Sequence, residues 1–391
     1  MIHNLRFTNT KRTMKTKLKL AALALLLSTL NPQLSTLNAQ GSLAPPGAPA
    51  PTMKTLDQIE ARTPIDAAHT PGDGANQFII TNSGSYYLTG NIIGVSGKNG
   101  ISINANNVTL DLKGFALIGV AGTLSGIIVP AAQRNLRVYN GSVDYWYAAG
   151  LSCDLCSNSQ FDHLRVSQNN GNGLSCGNGS VLNGCSAETN GLRGILTGDR
   201  GTLTGCIASN NHTDGIYTGS GCAMTACAST GNGRNGTYAG INIQDDCTVT
   251  ACSANHNIGI GIYPGQGCTI TDCTANRNGI DGIRAGTEGK VVNCIANFNS
   301  GNGITCYGDC FITGNVVCFN GNGVETTGSP NRIDGNTANH NSQVGILWVN
   351  DVVIRNSAFL NTSANYSPAV GTGNTGPLNA AGNSTSPWAN F

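Results

Sequence analysis

Charge and aromatic surface are both scarce in this chain. Of 391 residues, 10% are Asp, Glu, Lys or Arg and 6% are Phe, Trp or Tyr. A conventional globular domain of this length carries more large apolar side chains. The scarcity therefore excludes a single thick core. It also argues against a nucleic-acid partner. Six of the 21 Lys and Arg lie in residues 1–39, which hold no Asp or Glu, so the rest carries 15 cations against 20 carboxylates, a net charge of −5. A nucleic-acid binder shows a basic stripe instead. Long apolar runs are missing as well. The run from Leu20 to Leu27 stands alone, and nothing approaches the roughly 18 residues that cross a bilayer.

That run follows Lys11, Arg12, Lys15, Lys17 and Lys19, and Leu37-Asn38-Ala39 reads as a cleavage site before Gln40. The pattern predicts a secretory signal over residues 1–39, a mature protein without a membrane span, and a secreted, periplasmic or cell-surface location. Residues 40–77 read as a Pro/Ala-rich linker with a short helix between Met53 and Arg62.

Glycine and asparagine are abundant, and they keep time. Asn169, Asn190, Asn211, Asn232, Asn257, Asn278, Asn299, Asn320, Asn341 and Asn361 recur about every 21 residues, and Gly173 to Gly345 mark the same beat. A fixed period of this length marks a solenoid. Short runs alternating apolar and polar residues, such as Ile101, Ile103, Val108, Leu110 and Leu112, indicate strands. Stacking the sequence on its period gives three apolar rows. One runs from Phe161 through Leu182 and Ile270 to Val353, one from Ala187 through Ala254 to Ala358, and one from Leu174 through Ile262 to Ile346. Small residues piled coil on coil fill a thin column. The expected fold is an all-β, single-stranded parallel β-helix of about 12 coils over residues 78–361, with a capping tail at 362–391.

The Asn row has two reasons to exist. Asn tolerates the left-handed backbone of a sharp bend, and its amide bonds an equivalent amide one coil away. The 15 cysteines are phased too. Cys185, Cys206, Cys227, Cys252, Cys273 and Cys294 share one position, which Asn315, Asn336 and Asn356 take over. Neighbours about 4.8 Å apart with parallel side-chain vectors make poor disulfides, so packed free thiols are expected.

The Asn-x-x-x-Gly-Ile pattern, the Asn ladder and the stretch Asn107-Val-Thr-Leu-Asp-Leu-Lys-Gly114 resemble right-handed parallel β-helix proteins of the pectate lyase type. That resemblance implies a right-handed winding and a polysaccharide or cell-surface glycan as partner. It also implies lyase or hydrolase chemistry on acidic glycans, in some members with Ca²⁺. A non-catalytic surface or adhesive repeat protein is the other reading. His212-Thr-Asp214-Gly-Ile216 and Gln244-Asp245-Asp246-Cys247 are similar to motifs of galacturonan hydrolases. Their phases differ from that family's, because Asp214 precedes a repeat glycine and Asp246 follows one by six residues.

Phase also selects an outward cluster. Two residues beyond each glycine lie Tyr217, Asn242, Tyr263, Arg284, Thr305 and Glu325, with Asp281 at the start of the Arg284 strand. Tyr217, Tyr263, Asp281, Arg284 and Glu325 are the expected glycan-binding residues. Asp245, Asp246 and Arg284 are the candidates for catalysis, and Asp245 and Asp246 for a metal. Asp162, His163 and Arg165 form a further group, close in sequence.

Overall fold

Strands of three residues recur throughout, each with its first and last side chains on one side. In the segment that follows each repeat glycine, Ile216 and Thr218 are buried and Tyr217 between them faces out. A β-strand alternates its side chains in this way. The computed structural model describes residues 61–234, 236–328, 330–370, 374–378 and 386–391. Residues 1–60, which carry the expected signal segment, the first part of the expected 40–77 linker and most of the expected helix, lie outside these; Ala61 and Arg62 are not helical, and strands occupy Thr63–Pro64 and Asn76–Ile80. No α-helix occurs among the described residues.

Every strand-to-strand pairing is parallel, and each repeat contributes up to three strands, as at Ile195–Thr197, Thr202–Thr204 and Ile207–Ser209. One ladder stacks 14 strands, from Asn76–Ile80 to Ala364–Val370. Its register is strict through the middle: Ile195 pairs with Ile216, Ile216 with Ile241, and Ile241 with Ile262. The two turns beyond the expected twelve lie at the ends, where Phe78 pairs with Ile101 and Ile346 with Tyr366.

The three apolar rows point inward, and every one of their members is at most 2% exposed. The Asn row runs beside them. From Asn190 to Asn361 each ladder Asn makes the same bonds: its Oδ1 accepts the backbone N–H and the Nδ2–H of the Asn one coil earlier, and its own Nδ2 donates to a carbonyl in the file of the Ala row. For Asn278 these are Asn257 N at 3.0 Å, Asn257 Nδ2 at 3.2 Å and the Ala254 carbonyl at 2.9 Å. Amides buried this way must be bonded on all sides. The repeat glycine follows from the ladder. A Cβ on Gly282 would lie 2.7 Å from Asn299 Nδ2 and 2.7 Å from the Gly303 carbonyl, so no side chain fits.

One detail differs from the sequence reading. The ladder asparagines are not the left-handed residues. That conformation falls one position earlier, at Gln168, Thr189, Asn210, His256, Arg277, Phe298, Phe319 and His340, with φ between 55° and 60°. The amide is needed inside the bend, so the strained step passes to the residue before it.

All 15 cysteines are free, and 14 are buried. They copy the amides. Cys252 N–H donates to Cys273 Sγ at 3.4 Å, and Cys294 Sγ reaches the Ile270 carbonyl at 3.6 Å. Where Asn takes over the file, Cys294 N–H donates to Asn315 Oδ1 at 2.8 Å and Asn315 Nδ2 to the Val291 carbonyl at 2.9 Å. The last member comes from the C-terminal tail: Asn390 Oδ1 accepts from Asn356 N and Nδ2 at 3.0 and 3.1 Å.

Candidate functional site

The outer face of the 14-strand ladder carries the middle residue of each strand. Register sets Tyr217 beside Asn242, Asn242 beside Tyr263, Arg284 beside Thr305, and Thr305 beside Glu325. Ile262 pairs with Ile283, which makes Arg284 the neighbour of Tyr263. Tyr263 is 40% exposed, an amphipathic ring standing on the surface. Tyr217, Arg284 and Glu325 are half-buried.

A second file, the residue before each repeat glycine, reaches the same face and ties it together. Asp281 is 2% exposed. Its Oδ2 accepts from Arg284 Nε at 2.7 Å and from Thr305 Oγ1 at 2.9 Å, while its Oδ1 accepts the Asn302 N–H at 2.9 Å. Asn302 Nδ2 and Asn322 Nδ2 both donate to Glu325 Oε2, at 2.6 and 2.9 Å. Burial works against the Arg284 cation, but the Asp281 carboxylate outweighs it and raises the guanidinium pKa. These side chains are held in fixed positions before any ligand arrives.

Three coils away the arrangement recurs. Asp214, 1% exposed, accepts from Arg193 Nε at 3.2 Å, the Ala239 N–H at 2.9 Å and Asn242 Nδ2 at 3.3 Å. The Arg193 guanidinium lies 4.2 Å from the centre of the Tyr217 ring, within cation–π range. Arg193, Asn302 and Asn322 escaped the sequence reading. Their signal was the position before the glycine, a file that shows its meaning only when stacked.

The proposed site residues thus divide. Tyr263, Asp281, Arg284 and Glu325 stand together, and Tyr217 heads the second group. Asp245 and Asp246 sit at the turn after the strand, away from the Asp281 cluster. Asp245 Oδ1 caps the Gln266 N–H at 2.8 Å, as Asp199 Oδ1 caps Ser220 N at 3.0 Å. Asp246 takes a left-handed turn conformation with φ 57°, in file with Arg200 and Gly267. Among the described residues no three His, Cys, Asp or Glu side chains gather as a metal would need. Asp245 and Asp246 have no third such side chain beside them among these residues. Asp162 turns to Arg137, whose Nε is 2.9 Å away, and His163 and Arg165 point outward beside it.

Comparison with known proteins begins at the fold. The family model "Right handed beta helix region" matches residues 194–338. The chain is a right-handed parallel β-helix repeat protein. Curated protein sequences yield no match. Among solved structures, this β-helix is similar to the A-module of mannuronan C-5 epimerase AlgE6 of Azotobacter vinelandii, at 13% identity over 76% of this chain and 92% of that one, with a TM-score of 0.47. It is similar to the periplasmic alginate epimerase AlgG at 10% identity over 80% and 82%, with a TM-score of 0.43. It is also similar to the Dettilon tailspike protein at 12% identity over 75% and 60%, with a TM-score of 0.45. Likeness at this level says nothing about which side chains of the β-helix meet a ligand.

Proposed function

We propose that this β-helix is exported and binds polysaccharide along the outer face of its 14-strand ladder. The observation that carries the reading is the row from Tyr217 to Glu325. It sets an exposed Tyr263 ring between amide, guanidinium and carboxylate groups, which the buried Asp214, Asp281 and Asn322 hold in place. Sugars present flat apolar faces edged with hydroxyls, so an aromatic ring beside immobilised polar groups suits them. The row runs along the stack of coils, in the direction a polymer would follow.

Binding is favoured over cleavage. Asp281 and Asp214 each spend both carboxylate oxygens on internal donors, so both serve to hold the row's side chains in place. A surface or adhesive role without catalysis agrees with the same observation. Incubation of the full chain with uronans and neutral glycans, with and without Ca²⁺, tests the reading. Retardation in a glycan-containing gel is expected without unsaturated products or new reducing ends. Free migration in every glycan would refute it.

A further inference from the structure

Two positions on this face are built alike, and neither the spacing nor the exposed atoms are accounted for by packing. In both, a buried aspartate grips an arginine by Nε alone: Asp214 holds Arg193 at 3.2 Å and Asp281 holds Arg284 at 2.7 Å. The arginine side chains are 35% and 29% exposed. Their Nη atoms make no hydrogen bond among the described residues. A guanidinium pinned by Nε turns its two Nη donors outward as a fork, the geometry that receives a carboxylate or a sulfate ester through two parallel bonds. Each buried aspartate costs solvation that a merely structural arginine would not require.

The forks are also spaced. Tyr217, under Arg193, is followed on successive coils by Asn242, Tyr263 and Arg284. Arg193 itself belongs to the coil before Tyr217, so four coil rises of about 4.8 Å separate the two arginines along the stack, about 19 Å. Between them stand the Tyr217 ring, the Asn242 amide and the exposed Tyr263 ring, and no acidic side chain occupies that stretch of the row.

We infer that Arg193 and Arg284 form a two-point reader for an anionic polysaccharide lying along the coil axis, each fork taking one carboxylate or sulfate group of the same chain. The inference rests on the glycan-binding reading and adds the charge of the ligand, its direction and its minimum length. Two tethered contacts raise affinity only when one molecule spans both. Affinity therefore steps up at a threshold length instead of rising smoothly.

The test measures binding of the full chain to oligouronates and to sulfated oligosaccharides of increasing length, with neutral oligosaccharides of matched length alongside. For at least one anionic series a step of about tenfold or more is expected once the oligomer reaches both forks. Arg193→Gln or Arg284→Gln removes the step and leaves the weaker short-oligomer binding to the other fork. Arg284→Lys keeps a cation but not the fork, and is expected to restore only part of the step. The two anionic series tell carboxylate from sulfate. Neutral oligomers bound as tightly, a smooth rise with length, or a step that survives both Gln substitutions would overturn the two-point reader and leave glycan binding standing. Binding to no glycan would overturn both. If the Gln proteins fail to fold by circular dichroism, the length series on the wild type decides alone.

Discussion

The inner and outer sides of the same three-residue strand obey different rules. Inside, Ile216, Ile241, Ile262 and Ile283 repeat one residue type because each fills an identical slot between coils. Outside, Tyr217, Asn242, Tyr263 and Arg284 change at every step. Stacking constrains what is buried and leaves the other face free to vary. Chemistry on a solenoid is therefore sought where the period breaks, at positions whose neighbours are fixed by it.

The contrast predicts a graded series of effects. Asn278→Ala breaks the inside. It removes the amide that accepts from Asn257 N and Nδ2 and donates to Ala254 and Asn299. Stranded buried donors cost about 1–3 kcal/mol each, so a loss of roughly 3 kcal/mol is expected in urea unfolding. Gly282→Ala forces a Cβ to within 2.8 Å of Asn299, Gly303 and Ala296, and overpacking of this kind costs about 2 kcal/mol by the same measurement. Cys294→Asn sharpens the comparison. The amide would extend the file that already runs through Asn315, Asn336 and Asn356, so the unfolding free energy should change by less than about 1 kcal/mol, while Cys294→Asp should unfold the chain far more readily because it buries a charge. Tyr263→Ala touches only the outside. Unfolding should shift by no more than about 0.5 kcal/mol, with glycan retardation lost.

The sequence showed the inside almost completely. A buried row repeats because the slot repeats, so phase alone found the Ile, Ala and Asn files and the thiols that share the amides' place. It erred by one residue on the left-handed bend, because Asn suits both the strained conformation and the ladder, and only coordinates show which need prevails. On the outside, phase did bring Tyr263 and Arg284 side by side and put Asp281 within reach. Arg193 stayed hidden because its carboxylate partner, Asp214, sits 21 residues on and its ring, Tyr217, 24 on. Asp245 and Asp246 attracted notice through a similarity to hydrolase motifs; in the fold Asp245 Oδ1 caps the Gln266 N–H and the Asp246 backbone makes the left-handed step of the turn.

The central claim is that the ladder holds the fold while the exposed row meets the ligand, so that the two can be damaged separately. Thermal unfolding and gel retardation in a glycan bound by the wild type, measured together on full-length Asn278→Ala and Tyr263→Ala, test it most directly. The account predicts a crossed result: Asn278→Ala melts early but is still retarded while folded, and Tyr263→Ala melts with the wild type but migrates freely. Retardation of Tyr263→Ala equal to that of the wild type, or early melting by Tyr263→Ala, would contradict it.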